Sequence, residues 1–278
     1  MNAASRWIHE PVVRRAAATL ATLVAASLPR VARAQTDFYN TSSGRPLRIE
    51  DAVPTEFRAL ELDVTPVRLD LFRGRTRQWS LHPEATLGVF PRTQLQVAVP
   101  LTYVDARRES SRGVAGLELS ALHALNTETS LPAFALGASV LLPIGGLAGD
   151  ATLGTVKALV TRTLGWGRLH ANAELTAGPS AVASGSATES RASPEESRWM
   201  AGIAVDHAFV LHSLLLTAES FAEQPMVQGA SVAWNAGAGI RYQLAPRWAM
   251  DAAVARRFTG NDRAWSITFG TVYVLGIR

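Results

Sequence analysis

From about residue 56 onward, apolar side chains alternate with small or polar ones in stretches of roughly ten residues. The run 94–103 shows this best: Leu95, Val97, Val99, Leu101 and Tyr103 share one face, and Gln94, Gln96, Ala98, Pro100 and Thr102 share the other. A side-chain period of two puts such sets on opposite sides of a β-strand. About twelve such stretches follow one another, joined by connections that are alternately tight and long. A strand persists in lipid only within a closed sheet, and membrane barrels carry this rhythm of short turns and long loops. The pattern therefore predicts an all-β fold: a transmembrane, antiparallel, up-and-down β-barrel of about twelve strands, with ten or fourteen as alternatives.

Predicted strands fall at 56–64, extending toward 72, then 79–90, 94–103, 114–125, 132–142 and 152–163, followed by 168–177, 198–207, 212–221, 231–243, 247–257 and 265–275. Pro91-Arg92-Thr93, Gly165-Trp166-Gly167 and Ala245-Pro246 read as tight turns. Longer connections are the arginine-rich 73–77, a polar loop at 105–113, a glycine-rich one at 145–151, the longest at 178–196, and 223–230. An even strand number leaves both chain ends on one side, the periplasmic side of an outer membrane.

A soluble barrel would show the same alternation with a charged exterior. Here the polar face is rich in Ala, Gly and Ser with sparse charge, and would solvate an exterior poorly. Trp79, Tyr103, Trp199, Trp234, Tyr242, Trp248, Trp265 and Tyr273 fall near strand ends on the apolar face, where membrane barrels carry interfacial aromatics.

Three segments divide the chain: an export signal at 1–34, a periplasmic N-terminal arm without periodicity at 35–55, and the barrel at 56–278. Arg14 and Arg15 precede an apolar run at 16–28, and Ala32-Arg33-Ala34 supplies small residues for cleavage before Gln35. The apolar run is too short to cross a core of about 30 Å. The chain has 27 basic and 23 acidic residues, and removal of five arginines and one glutamate with the signal leaves 22 of each. The high pI of about 10.1 thus gives no support to nucleic-acid binding. Cysteine is absent, which excludes disulfides and thiolate metal sites.

With these faces, Glu61, His82, Glu84, Glu118, Lys157, His170, Glu174, Asp206, Glu219, Arg241 and Asp251 point into the lumen. A charge at mid-depth on the lipid face would cost on the order of 2–4 kcal/mol for Arg or Lys. The set holds more carboxylates than cations. It forms either a polar passage that disfavours anions or a network of ion pairs that fills a small barrel. His170 and Glu174 stand roughly 13 Å apart along one strand and cannot share a metal. His170 and Asn172 would suit a lipid hydrolase only on the lipid face, and no serine motif marks a nucleophile. No enzyme activity, cofactor or metal is expected.

The segment Arg45-Pro46-Leu47-Arg48-Ile49-Glu50-Asp51-Ala52 and the first-strand residues Leu60-Glu61-Leu62 resemble the start of outer-membrane proteins labelled "MetA-pathway of phenol degradation", or simply "transporter". The hairpin 87–101 and the stretches 116–119, 136–145 and 237–247 are similar to theirs. The resemblance implies an outer-membrane uptake channel near the breakdown of aromatic compounds. Its expected partners are outer-membrane lipid, the barrel-assembly machinery and a small-molecule solute, without nucleic acid. The expected function is passive diffusion of small compounds, aromatic or hydrophobic ones among them, in the outer membrane of a Gram-negative bacterium. A lipid-modifying barrel enzyme and a non-conducting structural barrel are the alternatives. The chain departs from many such barrels in ending on Arg278 rather than an aromatic residue.

Overall fold

A computed structural model describes residues 41, 46–72, 76–106, 109–179, 196–209, 213–260 and 263–276. The predicted export signal, most of the predicted 178–196 loop and residues 73–75 of the arginine-rich connection lie outside the described residues. Twelve antiparallel strands form one closed sheet, and no helix occurs among the described residues. They are β1 (Ala59–Phe72), β2 (Arg77–Leu81 and Glu84–Phe90), β3 (Thr93–Ala98 and Leu101–Ala106), β4 (Glu109–Val114 and Leu117–Ala124), β5 (Ala133–Leu142) and β6 (Leu153–Leu164). Then follow β7 (Gly167–Ala177), β8 (Ser197–Phe209), β9 (Leu214–Pro225), β10 (Ala233–Ala245), β11 (Trp248–Arg257) and β12 (Ala264–Gly276). The sheet closes where β12 pairs with β1, from Ala59 opposite Gly276 to Phe72 opposite Ala264.

The faces are inverted relative to a soluble protein. Leu95, Leu136, Val156, Ile203, Val254 and Phe269 are exposed, whereas Asn172, Asp206, Thr217, Glu219, Arg241 and Asp251 are buried. Of the predicted interfacial aromatics, Trp199 is half-buried and the other seven are exposed. An exterior this apolar is stable only against acyl chains.

An oblique seam crosses the wall through β1 to β4. Pro83 and Pro100 have no N–H to give the ladder, so β2 breaks at 82–83 and β3 at 99–100. Across these breaks Val99 N donates to Pro83 O at 3.1 Å and Ala115 N to Pro100 O at 2.8 Å. The register of β1 shifts between Asp63 and Thr65, just before Pro66. This bulge changes which residues face inward: Ala59 and Asp63 are buried before it and Asp70 after it.

The polar loop expected at 105–113 is instead the top of a hairpin, with Asp105 opposite Ser110 and Ala106 opposite Glu109. A strand that rises beyond the apolar layer needs no greasy outward face, so its alternation fades while its ladder continues. The N-terminal arm is also corrected. Residues 46–55 do not lie beneath the barrel; they run inside it.

Candidate functional site: the bore and the segment within it

Small inner-wall residues make room for the segment. A Cβ on Gly202 would meet Ile49 Cδ1 at 2.9 Å, and one on Gly239 would meet Pro46 Cβ at 3.0 Å. Ile49 packs with Met200, Ala204 and Phe221, and Ala52 packs with Leu122, Ala124, Ala133, Ala135 and Leu159. At the lower end Phe57 bridges to Gly88, whose missing side chain is required because a Cβ there would stand 1.9 Å from Glu56 O.

Polar contacts then fix the segment residue by residue. Arg48 Nη2 meets Glu174 Oε2 at 2.8 Å, Ile49 N donates to Glu219 Oε2 at 2.8 Å, and Lys157 Nζ pairs with Glu50. With its amide oriented as its neighbours require, Asn172 accepts from Glu50 N and donates to Glu50 O, both at 2.9 Å. Asp51 takes a contact from Arg168 Nη1 at 3.4 Å and from Thr41 N at 3.2 Å. Ala52 N donates to Thr161 Oγ1 at 2.9 Å, Thr55 N to Gln94 Oε1 at 2.6 Å, and Thr55 Oγ1 to Glu61 Oε2 at 3.1 Å.

Behind Ala52 a relay continues into the wall. Thr161 Oγ1 is 3.0 Å from His170 Nδ1, His170 Nε2 is 2.9 Å from Asp206 Oδ2, and Arg168 Nη2 reaches that same oxygen at 2.6 Å. Arg168 therefore ties Asp206 of the wall to Asp51 of the segment. Each member of the chain is buried or nearly so, and each polar group has a partner.

The eleven residues expected in the lumen separate into two groups. Glu61, Lys157, Glu174 and Glu219 touch the segment directly, and His170 and Asp206 reach it through Thr161 and Arg168. The other five pair across the wall. His82 stands 3.6 Å from Glu118, Glu84 takes a hydrogen bond from Gln96, and Arg241 clamps Asp251 with contacts of 2.6 and 3.2 Å.

Sequence reasoning missed Arg48, Glu50 and Asp51, because the arm that carries them has no period to assign it to the wall. It also missed the inward cations Arg68, Arg168 and Arg257, which pair with Asp70, Asp206 and Glu223. Each of these three arginines stands on an inward position of the wall beside a carboxylate, although these interior groups still include more carboxylates than cations. Parity alone could have found Arg168, which shares its face with His170 and Glu174.

Burial sets the protonation of the segment. It pushes Asp51 up to about 6, against the opposing pull of Arg168 and His170. Glu50 is also raised by burial, with Lys157 acting the other way. Beside the segment, a cavity of about 40 Å³ remains between Pro46, Leu47, Arg48 and the wall at Arg68, His82 and Phe221. A second, of about 10 Å³, adjoins His170. Each is a space on the scale of one to a few waters.

Inverted faces, a closed even-stranded wall and an ion-paired interior define an outer-membrane-type β-barrel. The chain matches no family model and no curated protein. It does match solved structures. The COG4313 outer membrane channel from Pseudomonas putida F1 superposes with a TM-score of 0.54 at 13% identity, over 81% of this chain and 98% of that one. The KdgM porin in complex with disordered oligogalacturonate gives 0.48 at 11% identity, over 77% and 98%. The translocator domain of the autotransporter NalP from Neisseria meningitidis gives 0.48 at 13%, over 79% and 89%. At such identities the likeness is one of fold.

Proposed function

We propose that the protein is an outer-membrane channel for small solutes, aromatic or hydrophobic compounds among them, and that residues 46–55 are its gate. On this reading it is exported with a cleaved signal at 1–34, inserted by the barrel-assembly machinery and surrounded by outer-membrane lipid. The observation that carries the proposal is the way the segment is held. Beside the packing of Ile49 and Ala52, it is held by ion pairs and hydrogen bonds to a wall that closes without it, so it can leave without unravelling a strand. The twelve-stranded wall then encloses a polar bore of the size that holds or passes one small ligand.

Liposome swelling and single-channel recording on refolded protein test this. The wild type should conduct weakly or intermittently, and Arg48→Ala with Lys157→Ala should raise the open fraction and admit a small phenol. A barrel that refolds but conducts in neither form would contradict the proposal.

A second reading rests on the Thr161, His170 and Asp206 relay, which has the hydroxyl, imidazole and carboxylate order of a hydrolase. It is the weaker one, because Thr161 Oγ1 is held by Ala52 N and the relay faces away from lipid. Lipid hydrolysis that disappears in His170→Ala would favour it.

A further inference from the structure

Across β12, β1, β2, β3 and β4 the outward side chains fall into rows set by the strand registers. One row is Phe269, Val67, Leu81, Leu101 and Val114, all apolar. Two residues further toward the long-loop end lie Ile267, Leu69, Trp79, Tyr103 and Arg112. Two further again, starting from β11, come Arg256, Trp265, Leu71, Arg77 and Asp105. The first row is wholly apolar, Trp79 and Tyr103 enter with Arg112 in the second, and Arg256 and Arg77 stand in the third, the order met on passing from acyl chains to headgroups.

The three arginines are exposed, and among the described residues none of them forms an ion pair. Arg256 is held over the rings of Trp265 and Phe258 at 5.0 and 5.2 Å, which orients its guanidinium while leaving its N–H groups for a ligand. One carboxylate, Asp105, lies opposite Arg77, so the patch stays positive. The short-turn end is different. Its outward strand arginine, Arg162, turns to Glu128 at 3.4 Å and to Thr129 O at 2.8 Å. Arg256 and Arg77 are three strands apart, roughly 14 Å along the hydrogen-bonding direction. That spacing suits a headgroup with phosphates at both ends of a disaccharide.

We propose that Arg77, Arg112 and Arg256 form a binding site for the phosphates of a phosphorylated glycolipid in the outer leaflet. Arg77 and Arg112, on either side of β3, would take one phosphate, and Arg256 the other. Guanidinium groups bind phosphate through paired N–H donors, and the tryptophans and tyrosine beneath them seat the sugar–acyl boundary. The site depends on the membrane orientation of the barrel and not on any transport activity.

The test is lipid retention by the refolded full chain, read by native mass spectrometry and by the temperature at which its compact gel band is lost. The probes are bis-phosphorylated lipid A, the same lipid with both phosphates removed, and inorganic phosphate. The wild type should retain the phosphorylated lipid about tenfold better than the dephosphorylated one and gain thermal resistance only from it. The Arg77→Gln, Arg112→Gln, Arg256→Gln variant should lose that preference, and the corresponding three-lysine variant should keep part of it. Equal retention of both lipids by the wild type, a preference undiminished in the glutamine variant, or the same protection from inorganic phosphate would each overturn the proposal. The first and third are read on the wild type alone, so they hold even if the glutamine variant does not refold. A compact band that persists in any of these outcomes shows that the barrel itself stands.

Discussion

Arg241 and Asp251 lie opposite each other on β10 and β11, at 2% and 3% exposure, and the guanidinium and carboxylate meet through two contacts. Removing the cation strands a buried carboxylate. Arg241→Ala should therefore lower stability by about 3–5 kcal/mol, and Arg241→Leu with Asp251→Leu by clearly less, as measured by urea unfolding in lipid. Asp51 carries a different consequence. Its ordinary value of 3.8 is raised to about 6 in the bore, so the closed state binds the proton more tightly than a state with the segment released into water. Closure is therefore favoured by acid: the gain is full below about 3.8 and lost as pH rises through about 6, with an upper limit near 3 kcal/mol. Single-channel open probability should fall between about pH 7.5 and pH 4.5, and Asp51→Asn should flatten that dependence. An open probability that rises on acidification would contradict the sign. At this scale the direction of a wall side chain was legible from parity where the register runs unbroken, as for Glu174 and Asp206, but not beyond the register shift in β1. A side chain's partner was not legible, because partners come from a neighbouring strand or from a segment distant in the chain.

Gly88 shows how one element receives another. The parallel bridge to Phe57 and the 2.8 Å bond from Arg58 N to Gly88 O leave no space for a Cβ against Glu56 O. Gly88→Ala should cost on the order of 1–3 kcal/mol and make residues 46–58 more accessible to protease, while the compact gel band persists. Strands that cross lipid were legible because one face must be apolar and the other must not, as along β10 and β12. The hairpin top at 105–113 and the arm at 46–55 were not. Neither has an acyl-facing side, and without one the alternation that marks a strand or excludes a buried segment is missing. The abundance of Ala and Gly on the polar face makes it a poor exterior. Those residues also receive the segment, as Gly202, Gly239, Ala133 and Ala135 do.

At the scale of the whole molecule the wall is an inside-out cylinder whose interior is completed by its own N-terminal segment. Ile203 is 56% exposed at the middle of β8, and Ile203→Arg should cost about 2–4 kcal/mol of stability in bilayers. The arginines native to the outward face stand near strand ends, where that cost is small. The occupied bore is the claim on which gating, acid closure and the role of Arg48, Glu50 and Asp51 all depend. The chain has no cysteine of its own, and a Cβ at Gly239 would lie 3.0 Å from Pro46 Cβ. A disulfide, which spans about 3.5–4.5 Å between Cβ atoms, can form there after a small shift of the segment. In the Pro46→Cys, Gly239→Cys protein, mild oxidation in outer membranes should link the two positions and silence conductance until a reductant restores it. Two thiols that stay unlinked and react freely with a periplasmic maleimide would show that the segment does not occupy the bore.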